Sequence, residues 1–196
     1  MATVASPYGL RPVKVLGEQA NSGGFTQYKI ASGYNTGIFY GDLVKLVVGG
    51  TIEKDTGTTT ATPVGEFMGV EYVSATQGLL HRNQWTAGTT VPTGTTAWAY
   101  VCDDPDMLFE IQSDETLGQN AVGTNAAIVQ GAGSTATGMS KVALDGSTIA
   151  GTNTLPLRIV DYVNRPGFSA LGDTYTDVIV RLNTHYNRSA TGIAGA

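Results

Sequence analysis

Two histidines, His81 and His185, and one cysteine, Cys102, are the chain's whole supply of the side chains most used for proton transfer, nucleophilic attack and zinc ligation. Neither histidine has a second His or Cys three or four residues away, so the ligand spacing of a zinc-hydrolase helix is absent. A single cysteine excludes an internal disulfide and an all-cysteine zinc site. Cys102 closes the run Trp98-Ala99-Tyr100-Val101 and reads as a small buried hydrophobe. His185, between Thr184 and Tyr186, reads as a surface or interface group. Carboxylates crowd only at Asp103-Asp104-Pro105-Asp106. A calcium loop needs oxygen ligands at alternating positions around a central glycine, and Pro105 and Met107 break that pattern, so a turn is expected there. Glycoside hydrolysis by carboxylates among Asp103, Asp104 and Asp106 is the weakest functional reading of the chain.

The glycine motifs fail at their most specific positions. Gly118 and Gly123 are followed by Thr124-Asn125, where a phosphate-binding loop needs Lys and then Ser or Thr. Gly131 and Gly133 begin a dinucleotide fingerprint that has no glycine at 136. Asn187-Arg188-Ser189 is a formal glycosylation acceptor in a chain expected to carry no secretory signal. Trp85, Trp98, Tyr100 and Phe109 have the chemistry of a platform for sugars or bases, but strand spacing favours the core, with Trp98 and Tyr100 on one face. The expectation is no catalytic residue, no metal and no cofactor.

Such residues need elements to position them, and composition limits which. Among 196 residues there are 26 Gly and 27 Thr, with only 14% charged side chains, which argues against helical bundles and coiled coils. Hydrophobic content of 41%, with nine Tyr, five Phe and two Trp, is too rich for a disordered chain. Eleven basic against sixteen acidic residues give a net charge of −5 with no basic run, so direct binding to nucleic acid is not expected. The longest apolar stretches, such as Leu46-Val47-Val48, are far too short to span a bilayer, and synthesis in a reducing cytosol is expected.

From Ile38 onward, short apolar segments alternate with turn clusters such as Val48-Gly49-Gly50-Thr51 and Thr93-Gly94-Thr95. Period-two alternation places Met68, Val70 and Tyr72 on one face, and likewise Met107, Phe109 and Ile111, then Leu155, Leu157 and Ile159, then Val178, Val180 and Leu182. Residues 114–128 are the one candidate helix, capped by Asp114 and weakened by Gly118 and Gly123. Residues 131–140 read as a surface loop. Residues 1–25 read as an extended arm, with Pro7 and Pro12 fixing the backbone and Asn21-Ser22-Gly23-Gly24 as a joint. Its apolar Tyr8, Leu10, Val13, Val15 and Leu16 must lie on something, the chain's own body or a neighbour. The expected fold is all-β: a compact antiparallel barrel or sandwich over residues 26–196, an N-terminal arm, and at most one short helix.

Three segments together resemble one known family. They are Ser6-Pro7-Tyr8-Gly9-Leu10-Arg11-Pro12-Val13, then Tyr100-Val101-Cys102-Asp103-Asp104-Pro105-Asp106 running into Phe109-Glu110-Ile111-Gln112, and lastly Leu157-Arg158-Ile159-Val160 with Asn183-Thr184-His185. In this order they are similar to tailed-bacteriophage capsid decoration, or cement, proteins, which are usually encoded beside the major capsid protein. The resemblance implies a β-tulip-like, non-enzymatic viral structural protein on the outer surface of the virion's capsid. Its implied partners are the major capsid protein and itself, as a trimer or, failing that, a dimer. Pro7, Tyr8, Leu10, Arg11, Pro12, Val13, Val15, His185 and Tyr186 are the candidate contact residues. The alternative is an adhesion module, tail- or head-fibre-associated, that binds glycans through exposed aromatics such as Trp85. A third reading, a major shell protein, is weakened by size: those chains resemble a larger α/β fold, and this sequence shows neither a long spine helix nor enough residues.

Overall fold

In the computed structural model, which describes residues 4–17, 19–20, 24–165, 167–189 and 192, the chain is nearly all β. Of the expected joint at residues 21–24, residues 21–23 lie outside the described residues. Fifteen strands follow in chain order: β1 (Arg11–Val15), β2 (Gln19–Ala20), β3 (Thr26–Ile30), β4 (Ile38–Phe39), β5 (Leu43–Val47), β6 (Thr51–Lys54), β7 (Gly65–Ser74), β8 (Gly78–Arg82), β9 (Gln84–Trp85), β10 (Ala97–Cys102), β11 (Met107–Gln112), β12 (Asn125–Val129), β13 (Ala143–Ala150), β14 (Leu157–Tyr162) and β15 (Asp177–Leu182). Strands β10-β3-β6-β5-β7 close into a five-stranded barrel through the β10–β7 pairing, and β8 hangs on β7 as a hairpin. Among the described residues, β3–β6 is the parallel strand pair of the barrel. Strands β13-β12-β14-β15-β11-β1-β2 form an antiparallel seven-stranded sheet, and β4 and β9 a short ribbon. Closure leaves the barrel staves without free edges, which an isolated small sheet would expose.

Two hydrophobic clusters share the barrel wall. Inside the barrel lie Ile30, Val44, Ile52, Phe67, Val70, Ala97, Ala99 and Val101. Beneath the sheet lie Phe109, Ile111, Ile128, Leu144, Leu157, Ile159, Val178, Val180 and Leu182, joined by Leu43 and Cys102 from the barrel strands. The alternating faces of β11, β14 and β15 are thus buried as their sequence pattern requires.

Three sequence expectations need correction. Residues 114–128 form no α-helix: a single 3-10 turn at Gln119–Ala121 gives way to β12, because Gly123 adopts φ +86° and the small apolar run after it fits a strand between β13 and β14. Met68 does not share a face with Val70 and Tyr72. A bulge at Gly69, where φ is +142°, shifts the register against β10, so Met68 packs under the sheet while Phe67, Val70 and Tyr72 fill the barrel. Trp98 and Tyr100 do share a face, but it is the half-buried outer one. A five-stranded barrel is narrow, so β10 turns Ala97, Ala99 and Val101 inward and its aromatics outward, where Lys29 Nζ lies 5.5 Å from the Trp98 ring centre and Tyr100 donates to Glu71 at 2.8 Å.

Candidate functional site: the anchored N-terminal segment

The segment carrying the first family-like motif lies on the chain's own body. Strand β1 pairs antiparallel with β11, Arg11 opposite Glu110 and Val15 opposite Met107. Leu10 is fully buried in the sheet cluster and is therefore a core residue rather than a surface contact. Its approach depends on Gly9, whose φ of +79° turns the chain so that Gly9 N donates to Val142 O at 3.1 Å and Leu10 N to Gly41 O at 2.9 Å.

Polar contacts hold the outer side of the segment. Ser6 N donates to Gln112 Oε1 at 2.8 Å. The Tyr8 hydroxyl lies 3.1 Å from both Glu110 Oε1 and Asp177 Oδ1, and its one hydrogen serves two carboxylates. Arg165 grips Glu110 in a fork, Nη1 to Oε1 at 2.8 Å and Nη2 to Oε2 at 2.6 Å, and the Arg11 guanidinium stacks 3.9 Å above the Tyr8 ring. Burial, then the charges of Asp177 and Glu110, push the Tyr8 phenol far above its ordinary value, so it stays protonated as a donor. Burial raises the Asp177 carboxyl, against the Tyr8 hydrogen bond that lowers it. This network explains why Glu110 and Gln112, polar members of an alternating strand, are nonetheless buried: the N-terminal segment covers them.

Tyr8→Phe removes the hydrogen both carboxylates use, and a cost of roughly 1–3 kcal/mol is expected at neutral pH. The loss should shrink in acid as the raised Asp177 carboxyl protonates; urea unfolding at two pH values measures it. An equal loss at both would mean the hydroxyl matters only through packing.

What remains exposed on the segment is apolar. The β1 register slips between Pro12 and Lys14, and Val13 at this irregularity is 40% exposed, while Leu16 past the strand end is 46% exposed. Beside them a shallow groove of about 170 Å³ runs over Lys14, Leu16, Leu108, Val160 and Ile179. Pro7, Pro12 and Val15 are half-buried and Arg11 is exposed.

His185 and Tyr186 lie elsewhere and are not free surface groups. Tyr186 N donates to Pro63 O at 2.8 Å, Thr184 Oγ1 to Ala61 O at 2.6 Å, and Tyr186 packs against the barrel cluster. His185 is 1% exposed and its Nδ1 accepts from Asn187 N at 3.1 Å, so the ring proton sits on Nε2, which has no partner among the described residues. Burial pushes its pKa down, against the pull of Asp103, which keeps the ring neutral.

The remaining chemistry-bearing residues are structurally committed. Asp103 accepts from Thr26 Oγ1 at 2.9 Å and Tyr28 OH at 2.8 Å, Asp104 Oδ1 accepts from Asp106 N at 2.8 Å, and Asp106 pairs with Arg188, the turn that the sequence indicates. Among the described residues no three His, Cys, Asp or Glu side chains are grouped to hold a metal ion. Burial, with Glu66 second, pushes the Cys102 thiol up to about 12, so it is not a thiolate at neutral pH. Trp85 is not an exposed platform: it is fully buried, edge-on to Tyr72 at 5.7 Å, with Nε1 donating to Tyr34 O at 3.0 Å. Sequence reasoning missed Glu110, Arg165 and Asp177 as partners of Tyr8, and Glu66 altogether; no local signal links residues so far apart. In comparisons with protein-family models, curated proteins and solved structures, no match to this chain is found.

Proposed function

We propose that the chain is a non-enzymatic structural protein of a tailed-bacteriophage virion that binds the outer surface of the head, contacts the major capsid protein and stabilises the junctions between capsomers. One observation supports this reading above the others. Part of each of the three segments that resemble decoration proteins lies in one sheet, as β1, β11 and β14, with the first segment tied to β11 and β15 by the Tyr8–Glu110–Asp177–Arg165 network. Residues 100–102 belong instead to β10 of the barrel, and His185 lies near Pro63. That sheet presents Val13 and Leu16 outward, Leu16 lining a groove of mixed wall in which Leu108, Val160 and Ile179 stand with Lys14 and Asp161, the kind of rigid, partly apolar edge by which one protein adheres to another. Self-association into a trimer then multiplies modest contacts through effective concentration.

The decisive experiment is co-sedimentation of the purified chain with phage heads lacking it. Wild type is expected to load the heads, and the double variant Val13→Asp, Leu16→Asp to lose at least about tenfold in occupancy, since about 1.4 kcal/mol of apolar contact suffices for that factor. Both positions are exposed, so the variant's melting temperature should match wild type. Failure of the wild-type chain to sediment with heads would overturn the reading. Truncating residues 1–16 is not a clean test, because it removes β1 and the core residue Leu10.

A further inference from the structure

A cavity of about 550 Å³ opens between the β4–β9 ribbon and the loop that follows β12. This is within the range of small-molecule sites. Its walls include Phe39, Lys54, Gln84, Ala87 and Gln130, with an edge of the buried Trp85. The wall is held in place: a Cβ on Gly133 would come within 2.2 Å of the Phe39 ring, so the loop backbone lies flat against that ring.

The electrostatics select the ligand. Lys54 is the cation of the wall, and its Nζ lies 3.0 Å from Asp42 Oδ2, both side chains being nearly inaccessible. Asp42 is itself held by Phe39 N at 2.9 Å and Ser140 Oγ at 2.7 Å. The charge is neutralised in place, so an anion gains little there. The two glutamines present a different need. Gln130 Nε2 donates to Asp55 O at 3.1 Å and Gly57 O at 3.0 Å, and Gln84 Nε2 to Thr135 O at 3.3 Å, while Oε1 of both side chains is buried without a donor among the described residues. An acceptor without a donor in a cavity's wall favours a ligand that carries hydrogen donors, provided the side chain can turn to present it. The last torsion of a glutamine is soft, and Gln84 is held by one long bond, so its Oε1, closed off as it stands, can turn toward an incoming hydroxyl, whereas two backbone bonds hold Gln130 in place. The wall is mostly apolar, with Phe39 and Ala87 in it, and Thr36, Thr56, Thr86 and Thr135 border it. A neutral molecule with many hydroxyls and an apolar C–H face fits this combination.

We propose that this cavity is a saccharide-binding site. The site is independent of the Val13–Leu16 edge and of the virion reading.

The test is saturation-transfer NMR of the full chain with glucose, galactose, mannose, rhamnose and N-acetylglucosamine, followed by an array of bacterial surface polysaccharides. Binding of at least one saccharide is expected. Ala87→Trp, which fills the mouth from an exposed position, should abolish the signal without lowering the melting temperature. Gln84→Leu, which removes one orphaned acceptor, should weaken it about tenfold, the factor carried by one well-placed hydrogen bond. Val48→Trp, in the exposed β5–β6 turn, should leave it unchanged. No binding across panel and array, or binding that survives Ala87→Trp, would overturn the proposal. So would a signal competed away by an extended peptide and by none of the sugars, since the cavity would then be a polypeptide groove.

Discussion

Replacing Glu66 by glutamine is expected to raise the melting temperature at neutral pH and to leave it nearly unchanged in acid. Glu66 is wholly inaccessible, on β7 opposite Cys102 of β10 and Leu43 of β5, and neither carboxylate oxygen has a partner among the described residues. Burial raises its pKa well above the ordinary 4.5, with Arg11 opposing weakly. The sign follows from linkage. The folded state holds a proton that the unfolded state releases, so the stability from Glu66 is whole below its unfolded pKa and is lost as pH rises through its folded one. Glutamine has nearly the same shape and no charge to neutralise, so the variant escapes that loss. A gain of roughly 1–3 kcal/mol at neutral pH is expected, the size such a protonation linkage ordinarily has. For a chain of this size that is about 2–10 °C. Calorimetry of both proteins across the acid-to-neutral range measures it. A variant that is less stable at neutral pH would show that the carboxylate is ionised and usefully paired.

Gly9→Ala is expected to be the most damaging small change in the N-terminal segment. Gly9 adopts φ +79°, and a Cβ there would lie 2.5 Å from Gly41 O and 2.6 Å from Ser140 Cβ. Gly41 is its mirror, with φ +91° and a Cβ that would lie 2.8 Å from Tyr8 O. Two backbones cross where neither tolerates a side chain, and the crossing seats Leu10 in the core. Strain and overlap together should cost roughly 2–4 kcal/mol, a fall of about 5–15 °C in melting temperature. Gly49→Ala is the internal comparison: Gly49 also has positive φ, +97°, but open space around its Cβ, so only the conformational term of about 1 kcal/mol applies. Hydrogen exchange should show the amides of β1 losing protection in Gly9→Ala while those of the barrel keep it. Equal melting of the two variants would show that the crossing contributes nothing beyond backbone strain.

Strand content was legible because period two is a local property. Phe109 and Ile111, or Val178 and Val180, declare a buried face within five residues, and the turn at Asp104-Pro105 declares itself within four. The same locality explains the errors. Whether Trp98 or Ala99 faces inward depends on the bore of a barrel that only closure defines, and the bulge at Gly69 shows only once β10 is beside β7. Residues 114–128 have the small apolar content of either a helix or a buried strand, and the neighbours β13 and β14 decide between them. The contact residues expected of the N-terminal segment divided for the same reason: Leu10 went to the core, Pro7, Tyr8, Pro12 and Val15 became half-buried, and Arg11 and Val13 kept their exposure.

Composition and alternation by themselves determined that this polypeptide would be built of short strands, could form no internal disulfide, and would have a proline-fixed N-terminal segment bearing apolar groups that needed cover. Tertiary structure alone decided where that segment lies, that one tyrosine would hold two carboxylates 102 and 169 residues away, and that two glutamines would meet beside a cavity. The reason is that strand periodicity is written in neighbouring residues. Burial, charge pairing and cavity shape arise between residues that only long-range pairing brings together.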